Sequence, residues 1–295
     1  MNELAVKIKN LNYAFQDSVI LQGIDLEIEP NKIYGLIGKN GAGKTTLINL
    51  IANQLIAKQG MIQILGQDPR KEPSTLENLC VVREGEFYAP HMRVKDIFKL
   101  YQILYKDYDE ALEKRLVDFF KLPIHKAYQK YSRGMKSMVF IIIGICSRAP
   151  ITIFDEPTLG LDAVSREDFY KILLEDYLKY PRTMIISTHL IDEVEQLIER
   201  VILIDDGKVV LNKDVQELKE QAFYIKGSKE KLEKLEALCN KFPKKCYGKT
   251  SVYVYFGNIS KADREVIKSE QIEVAPMSLQ QIFLEHIKRK EFRDE

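Results

Sequence analysis

Short apolar runs broken by polar residues fill the first forty positions: LAVKI from Leu4, VILQGIDLEI from Val19 and IYGLI from Ile33. Their length and alternation predict β-strands. A glycine-rich stretch over 38–43 follows, then TTLINLIANQL, whose apolar residues recur at helical spacing. MIQILG at 61–66 reads as another strand, and residues 93–147 read as mostly helical. Strand signals resume at ITIF (151–154), MIIST (184–188) and VILID (201–205), and Asp206-Gly207 predicts a hairpin into KVVLN. Strands alternating with helices imply a mainly parallel sheet covered by helices, preceded here by an antiparallel portion and interrupted by a helical insert.

The pattern changes near residue 215. AFYIKG, KEKLEKLEALCNKF, SVYVYFG, KADREVIKSE, IEVAP and LQQIFLEHIKRK read as β-α-β-α-β-α, a second small α+β domain over 216–295. Its first helix places Leu232, Leu235 and Leu238 on one face, as a core stripe would.

Composition narrows the function classes. Lys and Arg total 44 against 43 Asp and Glu, so the chain lacks the basic excess of a nucleic-acid binder. Cys80, Cys146, Cys239 and Cys246 form no C-x-x-C pair and have no histidine at zinc-ligand spacing, which predicts reduced thiols. His91, His125 and His286 have no partner pattern either. The start, MNELAVKIKN, has no apolar signal core, and the longest apolar run, Met138 to Cys146, is too short to cross a bilayer. A role at a membrane would require docking onto another protein.

The strongest chemical signal is Gly38-Lys39-Asn40-Gly41-Ala42-Gly43-Lys44-Thr45, which fits G-x-x-x-x-G-K-[ST] between a predicted strand and a predicted helix. Glycines let backbone N–H groups converge on an anion, and the helix N-terminus, where Thr46 also falls, adds its positive end. Lys44 suits β/γ-phosphate oxygens, and the Thr45 hydroxyl suits Mg²⁺. The second signal is Ile151 to Glu156, an apolar strand ending in two carboxylates. Asp155 fits a Mg²⁺-ligating Walker B residue, and Glu156 could orient and deprotonate a water.

Together these motifs resemble the ATP-binding subunits of ABC transporters, over roughly residues 4–215. Asp155-Glu156-Pro157-Thr158-Leu159-Gly160-Leu161-Asp162 is similar to that family's Walker B and D-loop, and His189 in MIISTHLIDEVE matches its switch histidine. The resemblance implies a P-loop cassette over 1–215 with an antiparallel β subdomain and a helical subdomain at about 86–150. It implies ATP and Mg²⁺ as ligands. Asp162 falls among its nucleotide-site residues. Phe15 falls where the family stacks an aromatic on adenine; Tyr13 is a rival, and a plain core role for Phe15 is another reading.

Two motifs depart from the family. The LSGGQ signature corresponds to Tyr131-Ser132-Arg133-Gly134-Met135, with Ser132 and Gly134 retained; Ser132 also reads as a helix N-cap. The glutamine expected near 83–85 is replaced, and Glu84 aligns best as a metal or water ligand. Phe87, Tyr88 and Met92 follow, a small apolar cluster where the family docks a membrane partner; core packing is the other reading. The resemblance implies a separate transmembrane permease subunit, a homodimer or heterodimer with a second cassette, no nucleic acid, and a peripheral place on the cytoplasmic side of the membrane. A drug or antimicrobial-peptide exporter subunit is the type it resembles. A non-transport ABC ATPase acting on DNA or the ribosome, a P-loop kinase or GTPase, and a regulatory module with weak hydrolysis are the alternatives. The distance of about 110 residues between the Walker motifs argues against the DNA-acting kind, the single cassette against the ribosome-acting kind, and Asp155-Glu156 with Asp162 and His189 against the kinase or GTPase.

Overall fold

The structure, a computed structural model, describes residues 3–83, 91–233, 235, 244–247, 250–259 and 261–291. The chain forms two compact units, residues 1–190 with 197–212, and residues 191–196 with 213–295.

In the first unit, β1 (Val6–Phe15), β2 (Ser18–Ile28) and β4 (Gln59–Ile64) form an antiparallel sheet in the order β2-β1-β4. A second, six-stranded sheet runs β5-β6-β7-β3-β8-β9. It comprises β3 (Ile33–Ile37), β5 (Leu79–Arg83), β6 (Ile151–Asp155), β7 (Thr183–Thr188), β8 (Arg200–Asp205) and β9 (Lys208–Asp214). Every pairing from β5 to β8 is parallel. Parallel strands are covered on both faces, so β3, β6 and β7 are buried at every position and read as continuous apolar runs rather than as alternation. The β8–β9 turn has φ of 45° at Asp206 and 70° at Gly207, as a type I′ hairpin requires.

Helix α1 (Lys44–Ile51) follows β3, and the insert carries α2 (Val94–Leu104), α3 (Glu110–Phe119) and α4 (Arg133–Cys146). The apolar run from Met138 to Cys146 is the buried length of α4, packed on β5 and β6. The packing is close at Gly144, where a Cβ would meet Val82 Cγ2 at 2.5 Å and Phe154 Cε1 at 2.7 Å. The next helix, α5 (Ala163–Lys179), begins at an Asp162 cap.

A buried ionic cluster ties α3 and α5 to the sheet's flank. Arg148 donates to Asp109 at 2.7 Å and to Asp176 at 2.6 Å, and Arg182 donates to the other Asp176 oxygen at 2.9 Å. Removing the shared anion would leave two guanidinium groups facing each other away from water. Asp176→Ala should therefore lower stability by about 3–5 kcal/mol, seen as an earlier urea midpoint. A variant with an unchanged midpoint would show that the cluster contributes nothing.

In the second unit, β10 (Ala222–Ser228), β11 (Lys244–Tyr247), β12 (Thr250–Phe256) and β13 (Glu273–Pro276) form a sheet in the order β11-β12-β10-β13, antiparallel throughout. Helix α8 (Lys229–Glu233) precedes β11, and α9 (Lys261–Ser269) connects β12 to β13. Chain order β-α-β-β-α-β with this strand order is the ferredoxin-like split βαβ arrangement. Where the sequence reading has one strand, the structure has the β11–β12 pair. Ile225, Leu232, Leu235 and Ile272 form the core, and Leu238 lies outside the described residues. The unit also takes in α6 (Ile191–Val194), α7 (Val215–Glu220) and α10 (Leu279–Glu291). Glu195 joins these helices, accepting from the Leu279 amide at 3.1 Å and pairing with Lys219 at 2.7 Å.

Cys80 and Cys146 are free and buried, and burial pushes both thiols upward in pKa. Cys239 lies outside the described residues. His125 is exposed, His91 contacts Gln129 at 3.0 Å, and His286 packs edge-on to Phe256.

Candidate functional site

The loop at 38–43 leaves β3 and enters α1, and its shape depends on glycine. A Cβ at Gly38 would lie 2.4 Å from the Ile204 carbonyl oxygen, so no side chain fits against β8. Gly41 and Gly43 have φ of 82° and 105°, in the region open to glycine. The Ala42 amide donates to Lys39 O at 3.1 Å, and the Gly207 amide donates to Ala42 O at 3.2 Å, so the β8–β9 turn braces the loop. Gly43 caps α1 without a side chain, leaving the amides of the first turn for an outside acceptor.

Lys44 is only 6 % exposed and folds back onto the loop, donating to Gly38 O at 2.7 Å and to Lys39 O at 3.3 Å. Burial lowers its pKa, against the opposing pull of Glu156 and Asp155. Thr45 is exposed and Thr46 half-buried at the start of the helix, and Lys39 and Asn40 are exposed on the loop.

The carboxylates come to the same place. Asp155 ends β6, buried, and its Oδ1 has no hydrogen-bond partner. Glu156 Oε1 lies 3.8 Å from Lys44 Nζ, and its Oε2 lies 2.9 Å from His189 Nδ1. Glu156 holds a φ of 50°, uncommon for a residue with a side chain, and its amide donates to Ser187 O on β7 at 2.9 Å. Backbone strain at this residue is held by the adjoining strand, which aims the carboxylate at Lys44 and His189.

A second cluster surrounds the start of α4. Ser132 Oγ caps the helix by accepting from the Met135 amide at 3.3 Å, and Ser137 donates to Leu159 O at 2.9 Å. A Cβ on Gly134 would meet Gly160 O at 2.6 Å, and Arg133 lies over Gly160. Ser132, Gly134 and Asp162 help line a cavity of about 370 Å³ to which none of the phosphate-loop residues contributes. Asp162 caps α5 through the Ser165 amide at 2.8 Å, a bond that lowers its pKa.

Phe15 is 61 % exposed at the end of β1, whereas Tyr13 packs on the core. A plain core role for Phe15 is thereby excluded. Glu84, Phe87 and Tyr88 lie outside the described residues, and Met92 is half-buried. A charged residue passed over in the sequence also stands at the site. Arg83 ends β5 in register with Asp155, and its terminal nitrogen lies 3.6 Å from Asp155 Oδ2. Strand register alone reveals it, because the two positions are 72 apart in the chain.

The family profile described as ABC transporter matches residues 21–159. The ABC transporter ATP-binding protein NatA of Bacillus subtilis is 30 % identical over 68 % of this chain and 84 % of its own length. The chain belongs to the ABC transporter ATP-binding proteins. Nod factor export ATP-binding protein I of Burkholderia lata is 28 % identical over 70 % of this chain and 69 % of its own. A solved structure of an ATP-binding subunit of an ABC transporter shares the fold, with a TM-score of 0.65 over 72 % of this chain and 91 % of that one, at 23 % identity. As an ABC ATP-binding protein, this chain binds ATP and hydrolyses it to energise a transporter. Subunits of this family pair with transmembrane components and dimerise. Among the described residues, no helix is long and apolar enough to cross a membrane itself.

Proposed function

We propose that this chain is the peripheral ATPase subunit of an exporter, working on the cytoplasmic face of the membrane through a separate transmembrane permease. The observation that carries the catalytic reading is the contact chain Lys44–Glu156–His189, at 3.8 Å and 2.9 Å, beside a phosphate-loop helix start. A cation for phosphate, a base for water and a group that orients the base stand together, as phosphoryl transfer requires.

In this reading, the amides of residues 38–46 and the Lys44 ammonium bind the nucleotide phosphates, and the exposed ring of Phe15 stacks on adenine. Asp155 and Thr45 would hold Mg²⁺. The buried, unpartnered Oδ1 of Asp155 fits a hard cation that takes few protein ligands. When bound, Mg²⁺ neutralises phosphate oxygens and orients them. Glu156 takes the proton of the attacking water, and His189 keeps that carboxylate turned toward the γ-phosphate. Ser132, Gly134 and Asp162 complete the nucleotide site of a second cassette, homologous or identical. Retention of the base and its orienter favours a turning-over ATPase over a regulatory module.

Export is supported by the relative whose name records export. Native fractionation tests the assignment. The chain should sediment with membranes and co-purify with one integral membrane protein. Recovery only with ribosomes or chromatin would favour a non-transport ABC ATPase.

A further inference from the structure

Arg83 is an unusual neighbour for a cation-binding carboxylate. In a parallel sheet, register partners project to the same face, and Arg83 and Asp155 do so at the ends of adjoining strands. Their separation of 3.6 Å is an ion pair but too long for a hydrogen bond. Nε of Arg83 and the terminal nitrogen that faces Asp155 are buried without hydrogen-bond partners, as is Asp155 Oδ1. A half-buried cation thus faces a buried carboxylate without the hydrogen bonds that usually accompany such pairing. Lys44 contributes a second positive charge to the field at Asp155.

We infer that Arg83 is a positioning residue that competes with the divalent cation for Asp155. It neutralises the carboxylate between turnovers from the Oδ2 side, and its charge repels a cation that approaches the free Oδ1. The loose pairing suits this competition, since a bidentate Arg–Asp clamp would hold too firmly to be displaced. A neutral side chain at 83 would remove both the competitor and its repulsion, leaving Asp155 more receptive to metal. The inference rests on Asp155 being the cation ligand, and one experiment separates the two claims.

Mn²⁺ serves as the probe, titrated into the full chain with saturating ADP and followed by electron paramagnetic resonance. R83M should bind Mn²⁺ on the order of tenfold more tightly than the wild type, about one decade in Kd. R83K, which keeps the charge, should stay close to the wild type. D155N should bind more weakly than either. Equal or weaker Mn²⁺ binding in R83M, with D155N still impaired, would overturn the role of Arg83 and leave the Asp155 assignment standing. Unchanged binding in D155N would overturn the Asp155 assignment itself. If circular dichroism shows R83M unfolded, R83Q carries the same comparison.

Discussion

Lys44→Ala should abolish ATP turnover and weaken nucleotide binding by about ten- to a hundredfold. Without nucleotide the ammonium is spent on two loop carbonyls, Gly38 O and Lys39 O, within a site that burial makes costly for a cation. Phosphate oxygens are better partners than neutral carbonyls, because both ends of the bond are then charged. Hydrogen bonds of that kind are worth about 1.5–3 kcal/mol, which sets the expected loss of affinity. The loss in rate should be larger, since charge builds on the transferring phosphoryl group and the lysine cannot be replaced by water in a buried position. Fluorescent-nucleotide titration and phosphate release measure the two effects. An alanine variant with wild-type turnover would remove Lys44 from the mechanism. Alanine also leaves the carbonyls of Gly38 and Lys39 without their donor, so the loop itself should be checked by thermal melting.

Much of this site can be read from the chain because its motifs are local. The phosphate loop is eight consecutive residues, Gly38 to Thr45, and its strand and helix follow directly on either side. Asp155-Glu156 is legible for the same reason, as the end of an apolar run. Sequence order says nothing about which strand lies beside which. Arg83 and Asp155 become neighbours only through the β5–β6 register, so the charge next to Asp155 could not be seen beforehand. The second unit shows the same limit. Its alternating elements were legible, but the β10–β13 pairing joins residues about fifty apart, and the ferredoxin-like order depends on it. β11, KKCY, is too short and too basic to announce itself as a strand, and α7 is a six-residue turn of helix recognisable only by its Asp214 cap. The strained φ of Glu156 has no sequence signal, because glutamate rarely adopts it; the β7 carbonyl that holds it is again a non-local partner. Phe15 shows a limit of composition: an aromatic residue looks the same in a core and on a stacking surface, and its exposure is what distinguishes them.

Glu156→Gln should bind Mg-ATP but turn it over about 10²- to 10⁴-fold more slowly, the range a general base contributes. Glutamine has the same size, and its carbonyl oxygen can still accept from His189, so the contact at 2.9 Å can survive. The backbone that aims the side chain is held through the Ser187 carbonyl and is indifferent to the change. What is lost is the basic oxygen that receives the water's proton. The negative charge 3.8 Å from Lys44 is lost too, which frees the lysine for phosphate and favours retention of the bound nucleotide. A trapped γ-phosphate should in turn trap a dimer. Ser132 and Gly134 line a cavity to which no phosphate-loop residue contributes, which suits a role toward the nucleotide of a second cassette. A second cassette arriving head to tail would place its own Ser132 and Gly134 on the exposed side of the bound ATP, and the γ-phosphate would bridge the two. Loss of that phosphate removes the bridge, which makes the assembly depend on the nucleotide rather than on a standing apolar interface. Light scattering should accordingly find the Glu156→Gln variant dimeric with Mg-ATP and monomeric with Mg-ADP. Arg133, packed over Gly160 next to Ser132, is the group most able to oppose closure through its charge and bulk, so the same measurement on Arg133→Gly in the Glu156→Gln background should show an equal or tighter dimer. A Glu156→Gln protein that stays monomeric at saturating ATP, even with its membrane partner present, would refute the two-cassette site.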